Sequence, residues 1–255
     1  MIAIIREFIE GIRNLFPNSK DLKIVSGLVV LATVVSVSEL LLARFFSLLI
    51  LPDNSRSSSS LIFLSSLFLV SFGALRVVNY GREYYRLNVF EKALAEGEGR
   101  NKYANSWRWA TAMELTALLT LCGRWIFIAL VLFWFSPIFG LSSFFLGLLI
   151  FKTFSTQMRK QYVKQRNFIA LRDKKVNVSN AEKVRTRILA GEFGSLVSAF
   201  GLLILFGLLI FFNAEEEIDP AMAFTLFIAV RMLGQIYSGF SSGLMRYVRA
   251  RVYSE

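Results

Sequence analysis

Histidine is absent from this 255-residue chain. That removes imidazole acid–base chemistry, Ser-His and Cys-His nucleophilic pairs, and His-ligated metals. The single cysteine, Cys122, lies in an apolar stretch, so no intrachain disulfide can form. No Gly-x-x-x-x-Gly-Lys-Ser/Thr segment occurs, so the usual backbone cradle for nucleotide phosphates is missing. The nearest glycine-rich stretch, Gly97-Glu98-Gly99, lacks the lysine and follows a helical pattern, and it reads as a turn. Neither a paired Asp motif nor a credible nucleophile–base pair is present, which leaves an intramembrane enzyme without machinery. A compact apolar core followed by a small-residue cleavage site is also missing at the N-terminus, so no signal peptide is expected there. There is no internal repeat of fixed period and no separate soluble domain.

What is abundant is apolar surface. Apolar residues make up 55% of the chain, and phenylalanine alone supplies 25. They come in runs of about twenty, the length that crosses a bilayer as helix. Six spans are predicted, at about 22–51, 61–80, 110–135, 138–154, 194–212 and 221–248. The fold class is therefore an all-α membrane protein forming one domain over 1–255. The first span ends at Leu51-Pro52-Asp53. Ser136-Pro137 makes a tight turn between the third and fourth. Trp107 and Trp109 precede the third span as expected interface anchors.

Charge then sets an orientation. Lys and Arg outside the spans concentrate in the N-terminus, the second and fourth connections and the C-terminus. The first, third and fifth connections hold one basic residue, Arg56, and the fifth carries Glu215, Glu216, Glu217 and Asp219. The positive-inside bias places both termini in the cytoplasm of a bacterial-type inner membrane. The net charge of +11 lies on membrane-flanking loops, where anionic lipid attracts it. Nucleic acid is accordingly not an expected partner.

Residues 1–16 read as an amphipathic elbow helix. Ile5, Phe8, Ile9, Ile12, Leu15 and Phe16 share one face, and Pro17 ends it. A position in the membrane interface is expected, with packing on protein as the alternative. The helical pattern of the second span continues past the bilayer through Tyr80, Tyr84, Tyr85 and Phe90. That of the fourth continues through Met158, Tyr162 and Phe168. Connections on the cytoplasmic side thus read as helices that overshoot the membrane and turn back, whereas the external turns are short.

This order of elements resembles the transmembrane domain of a type-1 (type IV fold) ABC exporter. The run Val35-Ser36-Val37-Ser38-Glu39-Leu40-Leu41, ending in Leu49-Ile50-Leu51-Pro52, is similar to the branch that moves lipid-linked oligosaccharides. Phe133-Trp134-Phe135-Ser136-Pro137 also resembles the family. The resemblance implies a second copy or a homologous membrane subunit, and short coupling helices that touch an ATPase. The candidates for docking are Glu98, Arg100, Asn101 and Lys102 at one tip, and Arg172, Asp173, Lys174 and Lys175 at the other. Two departures stand out. The nucleotide-binding domain is missing, so ATP would be bound by a partner and no cofactor by this chain; such a domain would begin near Glu255, as it would if this chain were one part of a longer one. The connection between the fourth and fifth spans is also shorter than in typical exporters.

Ionisable groups at bilayer depth cost roughly 2.5–3.5 kcal/mol or more each, so they face a cavity or pair with one another. Glu39, Arg124 and Arg231 fall near the middle of their spans, while Arg44 and Arg76 lie nearer the ends, where a long side chain can snorkel. One reading is a basic, partly wet substrate cavity for an anionic head group; the other is that Glu39 neutralises one arginine between packed helices. The two are compatible, because one glutamate cannot neutralise both. On the sixth span Gly234, Gly239 and Gly243 recur with Ser238, Ser241 and Ser242, which suits close packing, a path or a dimer seam. The expected function is a membrane subunit of an ATP-driven exporter or flippase of an amphipathic anion, working with a separate ATPase. The alternative is a non-transporting protein on the same scaffold, serving as an assembly, anchoring or immunity factor.

Overall fold

In the computed structural model the chain is all-helical. The structure describes residues 2–50, 58–95, 102–175, 178–214 and 220–254. Among them are α1 (Ile2–Leu15), α2 (Ser19–Ile50), α3 (Ser58–Ala95), α4 (Lys102–Phe135), α5 (Pro137–Asp173), α6 (Asn180–Ala214) and α7 (Pro220–Ser254). Helices α2 to α7 are each long and apolar enough to cross a membrane. In lipid every backbone N–H and C=O must bond within its own helix, and that selects helix over irregular chain. Serine and threonine hydroxyls follow the same logic. Thr33, Ser36, Thr116 and Ser198 donate to the carbonyls of Val29, Ala32, Ala112 and Gly194 at 2.8–2.9 Å.

The 38 residues of α3 and 37 of α5 make helices of about 57 and 56 Å at 1.5 Å per residue. Both are far longer than the roughly 30 Å hydrocarbon core of a bilayer.

Helix α7 is the hub and packs on α4, α6, α5 and α2. Leu226, Val230, Leu233, Tyr237, Phe240, Leu244 and Tyr247 are fully or almost fully buried. Their alternating spacing of four and three residues keeps one seam facing the neighbours along the whole helix. Leu115, Leu118, Ile128 and Leu132 meet that seam from α4. An aromatic cluster closes it: Phe151 of α5 lies 4.9 Å from both Trp125 and Phe240, and Phe154 stacks on Phe240 at 5.6 Å. Gly147 on α5 leaves the space that the Trp125 indole fills. On α6, Gly194 lies against Ser241, whose hydroxyl donates to the Gly191 carbonyl at 2.9 Å. Small residues therefore set how closely α6 approaches α7.

At the turn between α4 and α5 only Ser136 is non-helical. A side chain on Gly140 would overlap the Phe133 backbone, so the turn needs glycine there.

Helix α1 packs on protein, the alternative the sequence leaves beside the membrane interface, through Phe8, Leu15 and Phe16. Phe8 meets the Tyr247 ring edge-on at 5.5 Å, and Phe16 lies 5.4 Å from Phe90 of α3. Glu7 pairs with Arg251 at 3.2 Å. Tryptophans expected as interface anchors also make protein contacts: Trp107 stacks on Tyr253 at 5.0 Å, and Trp109 meets Phe90 edge-on at 6.1 Å. Helix α3 is peripheral, packing mainly on α2, and none of the most apolar part of it is buried.

Candidate functional site

One face of α3 is polar. Arg76, Asn79, Glu83 and Arg86 follow one another at intervals of three, four and three residues, so they share a helical stripe. Exposed Val77, Val78, Tyr80, Tyr84 and Leu87 occupy the rest of the helix surface. Glu83 bridges Arg82 and Arg86, with Arg86 Nη2 at 2.8 Å from its Oε2. Arg124 enters this cluster from α4, and the charges that act on it are Glu39, Arg82 and Glu83. Glu39 is thus near enough for its charge to act on Arg124, with Arg82 and Glu83 of α3 adding theirs, but the two form no ion pair among the described residues.

The charges do not cancel. Arg76, Arg82, Arg86 and Arg124 face two carboxylates, Glu39 and Glu83. The Nε atoms of Arg82, Arg86 and Arg124 are buried without an acceptor among the described residues. An unsatisfied buried donor costs about 1–3 kcal/mol, more when charged. Beside them a cavity of about 360 Å³ is lined by Glu39, Arg76 and Asn79 and by Phe46, Phe68 and Phe72. Arg76 lies over the Phe72 ring at 5.2 Å and lines this cavity. Arg44 lies 5.7 Å from the Phe135 ring, and its Nη1 is buried without an acceptor among the described residues.

Arg231 takes a different place. It is exposed on α7, about 16 Å along the helix from Pro220. Phe224, Phe227, Arg231, Gln235, Ser238, Ser242 and Arg246 are all exposed and again spaced by three and four residues. They form the face opposite the buried seam. One end of this stripe reaches the first cavity, whose wall includes Phe224. At the other end Ser238, Ser242, Arg246 and Arg249 line a second cavity of about 610 Å³ between α4, α6 and α7. Arg187 and Glu192 of α6 and Trp107 and Glu114 of α4 complete its polar wall. Arg246 Nε donates to Glu114 Oε1 at 2.6 Å, and the Arg249 guanidinium lies 5.3 Å from the Trp107 ring. Ser238 and Ser242 therefore face a cavity, whereas Ser241 packs between helices.

Residue-by-residue reading of the sequence does not single out Arg82, Glu83 and Arg86, which follow the apolar run within the predicted extension of the second span. It also missed Arg187, Arg246 and Arg249. Helical spacing groups the α3 charges and the α7 stripe; the meeting of Arg187 with Arg246 and Arg249 depends on how α6 packs against α7.

Of the residues expected to dock a partner, Glu98, Arg100 and Asn101 lie outside the described residues. Lys102 opens α4, and Arg172 and Asp173 close α5. Lys174 and Lys175 form an exposed turn, and Lys175 has φ 59°, in the left-handed region. Ser179 caps α6, its Oγ accepting from the Ala181 amide at 3.2 Å.

Searches of protein-family models, of characterised proteins and of solved structures find no match to this chain.

Proposed function

We propose that this chain is the membrane subunit of a transporter for an amphipathic anion, paired with a second membrane subunit and driven by an ATPase on a separate chain. The observation that carries the reading is the exposed α7 stripe of Arg231, Gln235, Ser238, Ser242 and Arg246. An arginine and an amide at bilayer depth do not face hydrocarbon without large cost; they line water or meet protein. A stripe joining two cavities, one apolar-walled with a single arginine, Arg76, and one holding Arg187, Arg246 and Arg249, suits a substrate with a charged head and an apolar body. A second copy facing this stripe would enclose it as a path, which makes the partner subunit part of the proposal.

Both termini are assigned to the cytoplasm of a bacterial-type inner membrane by the basic connections. In this reading α1 is the elbow helix, and the long ends of α3 to α6 carry force from the ATPase. Lys102, Lys174 and Lys175 would belong to the docking surface. ATP is then the partner's cofactor. The family resemblance supports this part of the reading; the cavities and the α7 stripe support the anionic cargo.

A second reading, an anchoring or assembly subunit without transport, is favoured by α3, whose apolar stretch has no buried residue and is free for another helix. One experiment separates the two. The protein is isolated from native membrane in lipid nanodiscs, co-isolated subunits are identified, and the assembly is reconstituted with fluorescent acidic and zwitterionic amphiphiles. The transport reading expects an ATPase to co-isolate and ATP to drive movement of the acidic probe. Co-isolation of some other complex, with no ATP-dependent movement, would replace it with the anchoring reading.

A further inference from the structure

The 610 Å³ cavity between α4, α6 and α7 holds three guanidinium groups, those of Arg187, Arg246 and Arg249. They are close enough that Arg187 feels the positive charge of both others. Glu114 is engaged by Arg246 at 2.6 Å. Among the described residues neither Arg187 nor Arg249 has a carboxylate within ion-pair distance. Glu192 also lines the wall, so three arginines face two carboxylates, but neither carboxylate is within ion-pair distance of Arg187 or Arg249, and their donors suit an anionic ligand with several acceptor oxygens. A phosphomonoester meets this description, carrying about −1.5 to −2 at neutral pH with three acceptor oxygens. Arginine's planar fork matches phosphate oxygens in pairs.

The surroundings specify the rest of the ligand. Along α6, Ile188 and Glu192 line the cavity, and Leu196, Phe200 and Leu203 continue the same face while more than half exposed. An apolar track thus leads from the cavity mouth along the membrane-spanning part of α6. Trp107, on the opposite wall, has an amphipathic ring suited to the head-group level. We propose that this cavity binds the phosphomonoester head of a lipid, with Arg187 and Arg249 as its principal ligands and the acyl chains lying along Leu196, Phe200 and Leu203. The site stands whether or not the chain transports anything, because binding needs neither ATPase nor second cavity.

The test is native mass spectrometry of the purified chain in mixed micelles, titrated separately with phosphatidic acid, phosphatidylglycerol and phosphatidylcholine, with inorganic phosphate as competitor. Phosphatidic acid is expected to be retained about tenfold better than phosphatidylcholine, with phosphatidylglycerol between them. Arg187→Gln combined with Arg249→Gln should bring phosphatidic acid down to the phosphatidylcholine level, while Arg185→Gln, on the same helix, should leave it unchanged. Should the double variant not fold, Glu192→Gln removes a negative charge from the wall and should raise retention about threefold. Displacement by millimolar inorganic phosphate, lost in the double variant, would assign the cavity to soluble phosphates and overturn the lipid assignment. Equal retention of all three lipids, or retention insensitive to both substitutions, would overturn the site. Absence of ATP-driven movement would leave these results standing, so the two proposals fail separately.

Discussion

Trp125 Nε1 donates a 3.0 Å hydrogen bond to the Tyr237 hydroxyl, joining α4 to α7 where both residues are almost fully buried. The bond gives the indole N–H its partner in a wall that is otherwise aromatic. Tyr237→Phe should leave that donor unsatisfied and destabilise the protein by about 1–3 kcal/mol. Trp125→Phe leaves an unused hydroxyl and a gap beside Gly147, so the two substitutions should be non-additive. Thermal unfolding of the single and double variants in one detergent reads the coupling.

Glycine positions divide sharply. Gly194→Ala would drive a methyl into Ser241, and Gly147→Ala would drive one into the Trp125 indole. Overpacking of this kind costs about 1–3 kcal/mol. Gly73 has open space around its Cα, so Gly73→Ala should be neutral or stabilising by up to about 1 kcal/mol. The same unfolding assay should rank Gly73→Ala level with or above the wild type and both others below it.

Glu83 holds two arginines. Glu83→Gln keeps the shape and removes the charge between Arg82 and Arg86, leaving like charges adjacent on α3. Because Glu83 is 39% exposed, the expected loss is discounted from the buried-pair range to about 1–2 kcal/mol. The variant's thermal midpoint should recover when Arg86→Gln is added, since the repulsion then has one cation fewer. No recovery would show that Glu83 does not act through this pair.

Lys175 adopts a left-handed backbone conformation at the exposed turn after α5. Glycine takes that conformation without a steric penalty. Lys175→Gly should therefore stabilise the turn by about 1 kcal/mol, a figure set by the cost of left-handed geometry for other residues. Amide hydrogen exchange at the ends of α5 and α6 should slow. Exchange that speeds up instead would mean the lysine side chain holds the turn.

Six helices long and apolar enough to cross a membrane are legible in the sequence because unbroken apolar runs admit little besides helix in lipid. Arg124 and Glu39 were recognisable as costly groups, since their place within an apolar run is a matter of counting. Which way each points is a matter of packing. Arg231 has the same depth along its helix as Arg124, yet lies on the exposed face of α7, and only the burial of Val230 and Leu233 on the other side decides this. The α3 charges escape such counting for a different reason. Arg82, Glu83 and Arg86 follow the apolar run directly, and a count of bilayer length alone separates them from Glu39 and Arg124. Their stripe with Arg76 and Asn79 was visible in the spacing.

The most direct test of the account is the sidedness of the chain, since the path, the docking tips and the energy source all depend on it. Cys122 is the sole cysteine, so Cys122→Ser gives a clean background for single cysteines at Lys20, Ser136, Lys174 and Ser254. Labelling intact spheroplasts with a membrane-impermeant maleimide should modify the cysteine at 136 alone, with the other three reacting only after permeabilisation. Labelling at 20, 174 or 254 from outside would contradict the six-span arrangement with both termini in the cytoplasm.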